Sequence, residues 1–244
     1  MGDPRTTVVG QFCDSTRAGS GAILANNFVP AMDNLTTLVN ANGFGTTVVG
    51  RGPNAVFGLG QCLEDLGSID CKLCFSEIRS QLPKCYPNRG GRIFLDGCFG
   101  RYENYSFFDE VLDSKDAIVC SYSRNSSNPQ SFHEVVREAV GNVSLEARKN
   151  QGFAVGSASN LNLRVYVLSQ CWENLGNTLC SSCLNSAASS ILSCSPATEG
   201  RALYAGCYMR YSTELFWNVN QETSSSNGML KMLNFWSLIL VITP

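Results

Sequence analysis

Apolar positions recur at helical spacing in two widely separated stretches. Cys71, Cys74, Phe75, Ile78 and Leu82 fall at steps of 3, 1, 3 and 4, and Cys180, Cys183, Leu184, Ala187 and Ile191 repeat those steps. Each stripe predicts an amphipathic helix whose C-x2-C pair lies on the buried face of the first turn. Ser68 or Asp70 is available as N-cap after Gly67. An earlier helix in each half is predicted by Phe28, Met32, Leu35 and Val39, with Pro30 near its start, and by Phe132, Val135, Val136, Ala139 and Val140. Strands are predicted in TTVVG, AVFGLG, GRIFLDGCFGRYENYSFF and its later counterpart GRALYAGCYMRYSTELFW, which are rich in aromatic and β-branched residues. Each half therefore reads as α+β, two helices on a small antiparallel sheet.

The halves are copies of one another. Cys62, Cys71, Cys74, Cys85 and Cys98 recur 109 positions later as Cys171, Cys180, Cys183, Cys194 and Cys207, while Cys13 and Cys120 open the two copies. Gln61 and Gln170, Leu66 and Leu175, Gly67 and Gly176, Arg92 and Arg201, Gly97 and Gly206, Arg101 and Arg210, and Tyr102 and Tyr211 keep the same register. A repeat of this length is a self-sufficient domain rather than a solenoid unit. The expected division is 1–112, 113–219 and a polar linker with a short apolar tail over 220–244.

Composition removes several function classes. With 18 basic and 20 acidic residues in 244, and no basic excess in either half, nucleic acid is not an expected partner. No phosphate loop or kinase signature is present, and the single histidine, His133, has no triad motif around it. GRGPNAVFGLG lacks the lysine and spacing of a nucleotide site and reads as a turn between strands. Twelve cysteines, six per copy, could hold zinc, exchange electrons or form structural bridges. Zinc sites close with a second CxxC or a His pair, whereas here the later spacings after each CxxC are x10 and x12 and the only histidine is His133, so no metal and no cofactor is expected. A redox dithiol would not stand among four further cysteines in strict register, which leaves structural disulfides as the favoured reading.

Sequons at Asn34, Asn104, Asn125 and Asn142 agree with an oxidising compartment and predict a glycoprotein. The start MGDPRTTVVGQFC has no apolar leader, so a signal peptide is expected to be missing from this chain, and the disulfide reading argues against myristoylation despite Thr6. The apolar run Phe235–Ile242 is too short to span a bilayer, so membrane association is expected only through a missing or truncated C-terminal segment. A glycosylphosphatidylinositol signal at Ser224–Ser226 is a weaker option.

The spacing C-x8-C-x2-C-x10-C-x12-C, the upstream cysteine, the Gln before the first motif cysteine and the GR…GCF.RYE segment together resemble the plant ginkbilobin-homologous domain, also called the stress-antifungal or cysteine-rich repeat. Two copies over about residues 5 to 218 resemble the ectodomain of cysteine-rich receptor-like kinases. The resemblance implies the pairs Cys13–Cys85, Cys62–Cys71, Cys74–Cys98, Cys120–Cys194, Cys171–Cys180 and Cys183–Cys207. It implies an extracellular ligand-sensing or protein-interaction module in stress and defence signalling, with an unknown extracellular ligand or receptor partner and no catalysis. The alternative is a secreted mannose-binding antifungal lectin. The family's mannose site falls on Asp14, Arg92 and Glu103 in copy one, and on Ser121, Arg201 and Ser212 in copy two, where the acidic acceptor is lost altogether. Arg92 has a structural alternative as an interstrand or surface arginine.

Overall fold

A computed structural model describes residues 2–121 and 126–218. The sequon at Asn125 and the linker and tail over 220–244 lie outside the described residues. Copy one runs β1 (Val8–Cys13), α1 (Gly21–Asn42), β2 (Phe44–Val49), β3 (Val56–Cys62), α2 (Ser68–Gln81), β4 (Gly91–Leu95) and β5 (Cys98–Glu103). Copy two repeats the order as β6 (Ala117–Cys120), α3 (Pro129–Lys149), β7 (Phe153–Asn160), β8 (Leu163–Cys171), α4 (Asn177–Ile191), β9 (Glu199–Leu203) and β10 (Cys207–Ser212). Each copy forms a five-stranded antiparallel sheet, ordered β1-β4-β5-β3-β2 and β6-β9-β10-β8-β7. The α+β expectation holds, with more strand than the sequence revealed.

Several local expectations are corrected. The N-cap of α2 is Gly67 in extended conformation, with no side-chain cap, so Ser68 and Asp70 lie inside the first turn. Pro30 sits in the middle of the 22-residue α1 rather than near its start. The run through SFF ends as strand at Glu103, and β1, β6, β7 and β8 escaped the pattern altogether. Their burial does not alternate cleanly: β1 and β6 are intermediate at most positions, and β7 mixes buried and exposed residues without a period of two.

One face of each sheet is covered by its own helices, and the packing is complementary between copies. Gly60 on β3 and Gly100 on β5 leave room for Phe75 and Ile78 of α2, since a Cβ at either glycine would stand 2.5 Å from those side chains. Copy two has Ser169 and Met209 at the matching strand positions, and α4 presents the smaller Leu184 and Ala187. Large on helix against small on strand in one copy becomes the reverse in the other, which preserves interior volume. Six disulfides staple strands to helices within the copies and none joins one copy to the other. They are the six pairs that the family resemblance implies.

The opposite faces of the two sheets meet each other. Leu59, Leu63, Phe94, Phe99 and Phe107 of the first half pack with Leu168, Trp172, Leu203 and Tyr208 of the second in one buried cluster. Phe99 stacks on Trp172 with centroids 4.3 Å apart and planes 2° from parallel. The rim is pinned reciprocally: Gln170 Oε1 accepts from the Glu64 amide at 2.8 Å, and Gln61 Oε1 accepts from the Glu173 amide at 2.9 Å. The Gln170 and Gln61 side-chain amides donate back to the carbonyls of Cys62 and Cys171 at 3.2 and 3.5 Å. Matching residues of the repeat thus bind each other, as across the two-fold axis of a homodimer.

Candidate functional site

Strand alternation carries Arg92 of β4 and Arg101 of β5 to the face that meets copy two, where they are cross-strand partners. Arg92 is only 1% exposed and lies over the rings of Phe12 and Phe94 at 5.4 and 5.7 Å. Its Nη1 donates to Asp113 at 2.8 Å and its Nη2 to Asp116 at 3.3 Å, both in the segment that joins the copies. Arg101 donates to Glu103 at 3.0 Å and to Glu110 at 2.7 Å, and lies over Phe107. Burial opposes the charge of Arg101, but Glu103 and Glu110 outweigh it and hold its pKa above the ordinary value. For Arg92 burial prevails over Asp113 and Asp116, and its pKa lies lower than usual.

The three residues matched to a sugar site are brought into one network, together with protein partners that occupy them. Glu103 is buried and accepts from Arg101, and burial raises its pKa against the pull of Arg101 and Lys115. Asp14 is half-buried and accepts from Lys115 at 2.5 Å, while the same ammonium lies 3.9 Å from Glu103. Lys115 therefore stands between the two carboxylates, and Arg92 faces the joining segment. Gly90 leaves room for this carboxylate, since a Cβ there would lie 1.7 Å from Glu103 Oε2.

In copy two the equivalent arginines are served differently. Arg201 donates from Nε and Nη2 to the two oxygens of Asp96 at 2.7 and 2.9 Å, a bidentate pair that crosses from the second sheet to the first. Tyr208 Oη donates to the same carboxylate at 3.1 Å. Burial pushes the pKa of Asp96 up, yet Arg201, Arg210 and Tyr208 pull it below the usual carboxylate range. Arg210 pairs with Glu199 at 2.5 Å. Ser212 is buried, and Ser121 donates its amide to the Glu199 carbonyl at 3.0 Å. The expectation that copy two has no acidic acceptor needs correction. The carboxylate lost at Ser212 returns on the neighbouring strand as Glu199, and Ser212 and Glu199 are cross-strand partners.

Asp96, Glu110, Asp113, Lys115 and Asp116 were missed by sequence reasoning. Asp96 lies inside the last cysteine spacing but at none of the positions the motif singles out, the other four follow the motif, and no periodicity connects a turn or a joining segment to an arginine on a distant strand. Among the sequons, Asn34 and Asn142 are exposed on α1 and α3, and Asn104 follows β5 with its side chain 3.4 Å from the Pro53 carbonyl. Among the described residues no group of three or more His, Cys, Asp or Glu could hold a metal ion, and no cysteine is free.

Two disulfide-stapled repeats fused through their sheets define a tandem cysteine-rich repeat module. The chain matches the salt stress response/antifungal family over residues 12–105 and 119–214 and belongs to it. It is 39% identical to cysteine-rich receptor-like protein kinase 2 of Arabidopsis thaliana over 236 residues, covering 95% of this chain and 36% of that protein. It is 30% identical to the antimicrobial ginkbilobin-2-like protein of Castanea crenata over 72% of this chain and 75% of that protein. The fold matches the tandem DUF26 ectodomain of the Arabidopsis thaliana cysteine-rich receptor-like protein PDLP8 with a TM-score of 0.75 and 25% identity, over 85% of this chain and 98% of that one. The chain spans about a third of the length of the receptor kinases it matches, and the matched unit is an extracellular, non-catalytic module that excludes the kinase.

Proposed function

We infer that this chain is the ligand-sensing or protein-interaction part of a plant cysteine-rich receptor-like protein, acting in stress or defence signalling at the cell exterior. The supporting observation is the fate of the arginines. Arg92 and Arg101 are spent on Asp113, Asp116, Glu103 and Glu110 inside the junction, and Arg201 on Asp96. The junction holds the two copies as one body, and recognition falls to the outer surfaces of the helices and loops. A test replaces the ectodomain of cysteine-rich receptor-like protein kinase 2 with this chain in plants that lack the receptor. Restored signalling is the expected result; a fusion that reaches the cell surface and restores nothing would refute the reading.

The mannose-binding alternative draws support from the 30% identity to an antimicrobial ginkbilobin-like protein. It would require Lys115 to leave Asp14 and Glu103, and Arg92 to turn out of a buried site. Calorimetry with mannose and mannan is expected to show no binding by the chain. Micromolar binding that Arg92→Ala abolishes without unfolding would promote the lectin.

A further inference from the structure

The helical faces differ between copies more than their cores do. The strict offset of 109 relates α2 to α4, and the buried stripes relate α1 to α3 by 104, so that Phe28 against Tyr102 matches Phe132 against Tyr211. In copy one Arg79 of α2 reaches Asp33 of α1 at 2.5 Å and donates to Thr36 at 3.2 Å, bridging the two helices. At the matching places copy two has Ala188 for Arg79 and Arg137 for Asp33. The bridge is gone, one charge is deleted and the other reversed. A cavity of about 350 Å³ opens there between α3 and α4.

Its walls are small and neutral, chiefly Gly141, Ser144, Ala188 and Ser189, with Val140, Leu145 and Leu192 adding apolar surface. Arg137 and Arg148 also line it, and among the described residues neither has a carboxylate within 4.0 Å. Arg148 donates only to the neutral acceptors Ser144 and Asn185, and its Nε is buried without a partner. Glu134 and Glu138 line a neighbouring cavity on the other side of Arg137, and Glu146 is paired with Lys149. The groove thus has, towards each end, a guanidinium that forms no ion pair among the described residues.

Eleven residues of helix separate the two arginines, about 16 Å along the axis at 1.5 Å per residue. That distance is too great for one small anion to bridge. An extended peptide rises about 3.3 Å per residue and covers the same distance in about five, and because its side chains alternate between faces, a spacing of about six brings two charges to the same side within reach of both arginines. We propose that the α3/α4 groove of the second repeat binds an extended acidic segment of a partner protein, with carboxylates about six residues apart, on one face of the segment, on Arg137 and Arg148 and small or apolar side chains between them. The exposed Arg137 presents a planar fork that a carboxylate can engage bidentately, while Arg148, with Nε buried and Nη2 already donating, has Nη1 left for the other carboxylate. This rests on the reading of the chain as a recognition module and names one partner chemistry for it.

The probe is a synthetic peptide with two Glu six positions apart and Ala or Ser between, titrated into the whole chain by fluorescence anisotropy. Controls are the Gln version, a peptide with the Glu residues two apart, and oligogalacturonate as a non-peptide polyanion. The expected result is at least tenfold tighter binding of the first peptide than of either peptide control. Arg137→Asp with Ala188→Arg, which rebuilds the bridge of copy one, should lower that affinity at least tenfold with unchanged near-ultraviolet dichroism. Arg137→Ala, at an exposed site, gives a second variant should the first fail to fold. Equal affinity for the Gln peptide, no dependence on spacing, no binding at millimolar peptide, or tighter binding of oligogalacturonate would each overturn the proposal. In the receptor fusion, undiminished signalling by the bridged variant removes the groove and leaves the receptor reading intact. Peptide binding by a fusion that does not signal does the reverse.

Discussion

The two repeats share a cysteine framework and a pair of sheet arginines, yet they neutralise those arginines from different places. In copy one the acid beside Arg101 is Glu103 on β5, admitted by Gly90; in copy two the acid beside Arg210 is Glu199 on β9, opposite Ser212. Arg92 turns to Asp113 and Asp116 of the joining segment, whereas Arg201 reaches across to Asp96 in the other repeat. A buried guanidinium demands a carboxylate, but a sheet surface offers several positions from which one can be supplied. Duplication conserved the demand and let the source drift.

The disulfides should show no such drift. Removing Cys13–Cys85 or Cys120–Cys194 by double substitution to Ala frees loops of 72 and 74 residues and should destabilise by about 4 kcal/mol in either copy. Because the sheets share one buried cluster, calorimetry should record a single lowered transition in both cases. Two separated transitions would show that the repeats fold as independent units.

The crossed ion pair should be next in size. Asp96→Ala removes the bidentate partner of Arg201, leaves it only Glu199 at 3.0 Å, a carboxylate it shares with Arg210, and strands the Tyr208 hydroxyl, and should cost about 3 kcal/mol. Asp113→Ala should cost only about 1 kcal/mol, since Arg92 retains Asp116, which the amides of Asp113 and Ala205 also hold in place. Equal losses in urea titrations would erase the claimed asymmetry between the arginines.

Exchanging the acids sharpens the comparison further. Gly90→Glu alone should cost about 2 kcal/mol through collision with the Glu103 carboxylate, and Glu103→Ser alone about 1 kcal/mol through the thinner pairing of Arg101. The double variant, which copies the second repeat, should recover most of both losses, and a coupling energy near zero would refute the equivalence.

The smallest expected effect is a pH dependence at the junction. Desolvation there, with the carboxylates of Glu173 and Asp65 nearby, pushes Glu64 up to about 7, and desolvation raises Glu173 too. A folded-state value above the ordinary 4.5 means that the folded chain holds the proton more tightly than the unfolded chain. This contribution is therefore fullest at acidic pH and is lost as pH rises from about 4.5 through 7. Stability curves from pH 4 to 8 should be flatter for Glu64→Gln than for the original chain, and parallel curves would contradict the shift.

Much of each repeat was legible because its signals are local. The stripes through Cys71 to Leu82 and Cys180 to Ile191 became α2 and α4 with their 3-10 extensions, and the strict cysteine register marked the duplication. β1, β6 and β7 were not legible, because residues half-covered at a sheet edge carry no two-residue alternation. The candidate site was legible as residue types only. Asp14, Arg92 and Glu103 are named by their distance from a cysteine, and nothing in that distance tells whether an arginine meets solvent, a ligand or a second sheet.

The chain's own order of residues determined the duplication, the pairs of helices and a demand for six bridges, since helical periodicity and cysteine register are properties of neighbours along the chain. Only the tertiary structure decided that the sheets face each other, that Lys115 stands between Asp14 and Glu103, and that Arg201 finds Asp96, 105 residues away. The reason is physical: burial makes a charge take whichever opposite charge the folded surfaces bring within reach, and that reach is set by the meeting of two sheets rather than by spacing in sequence.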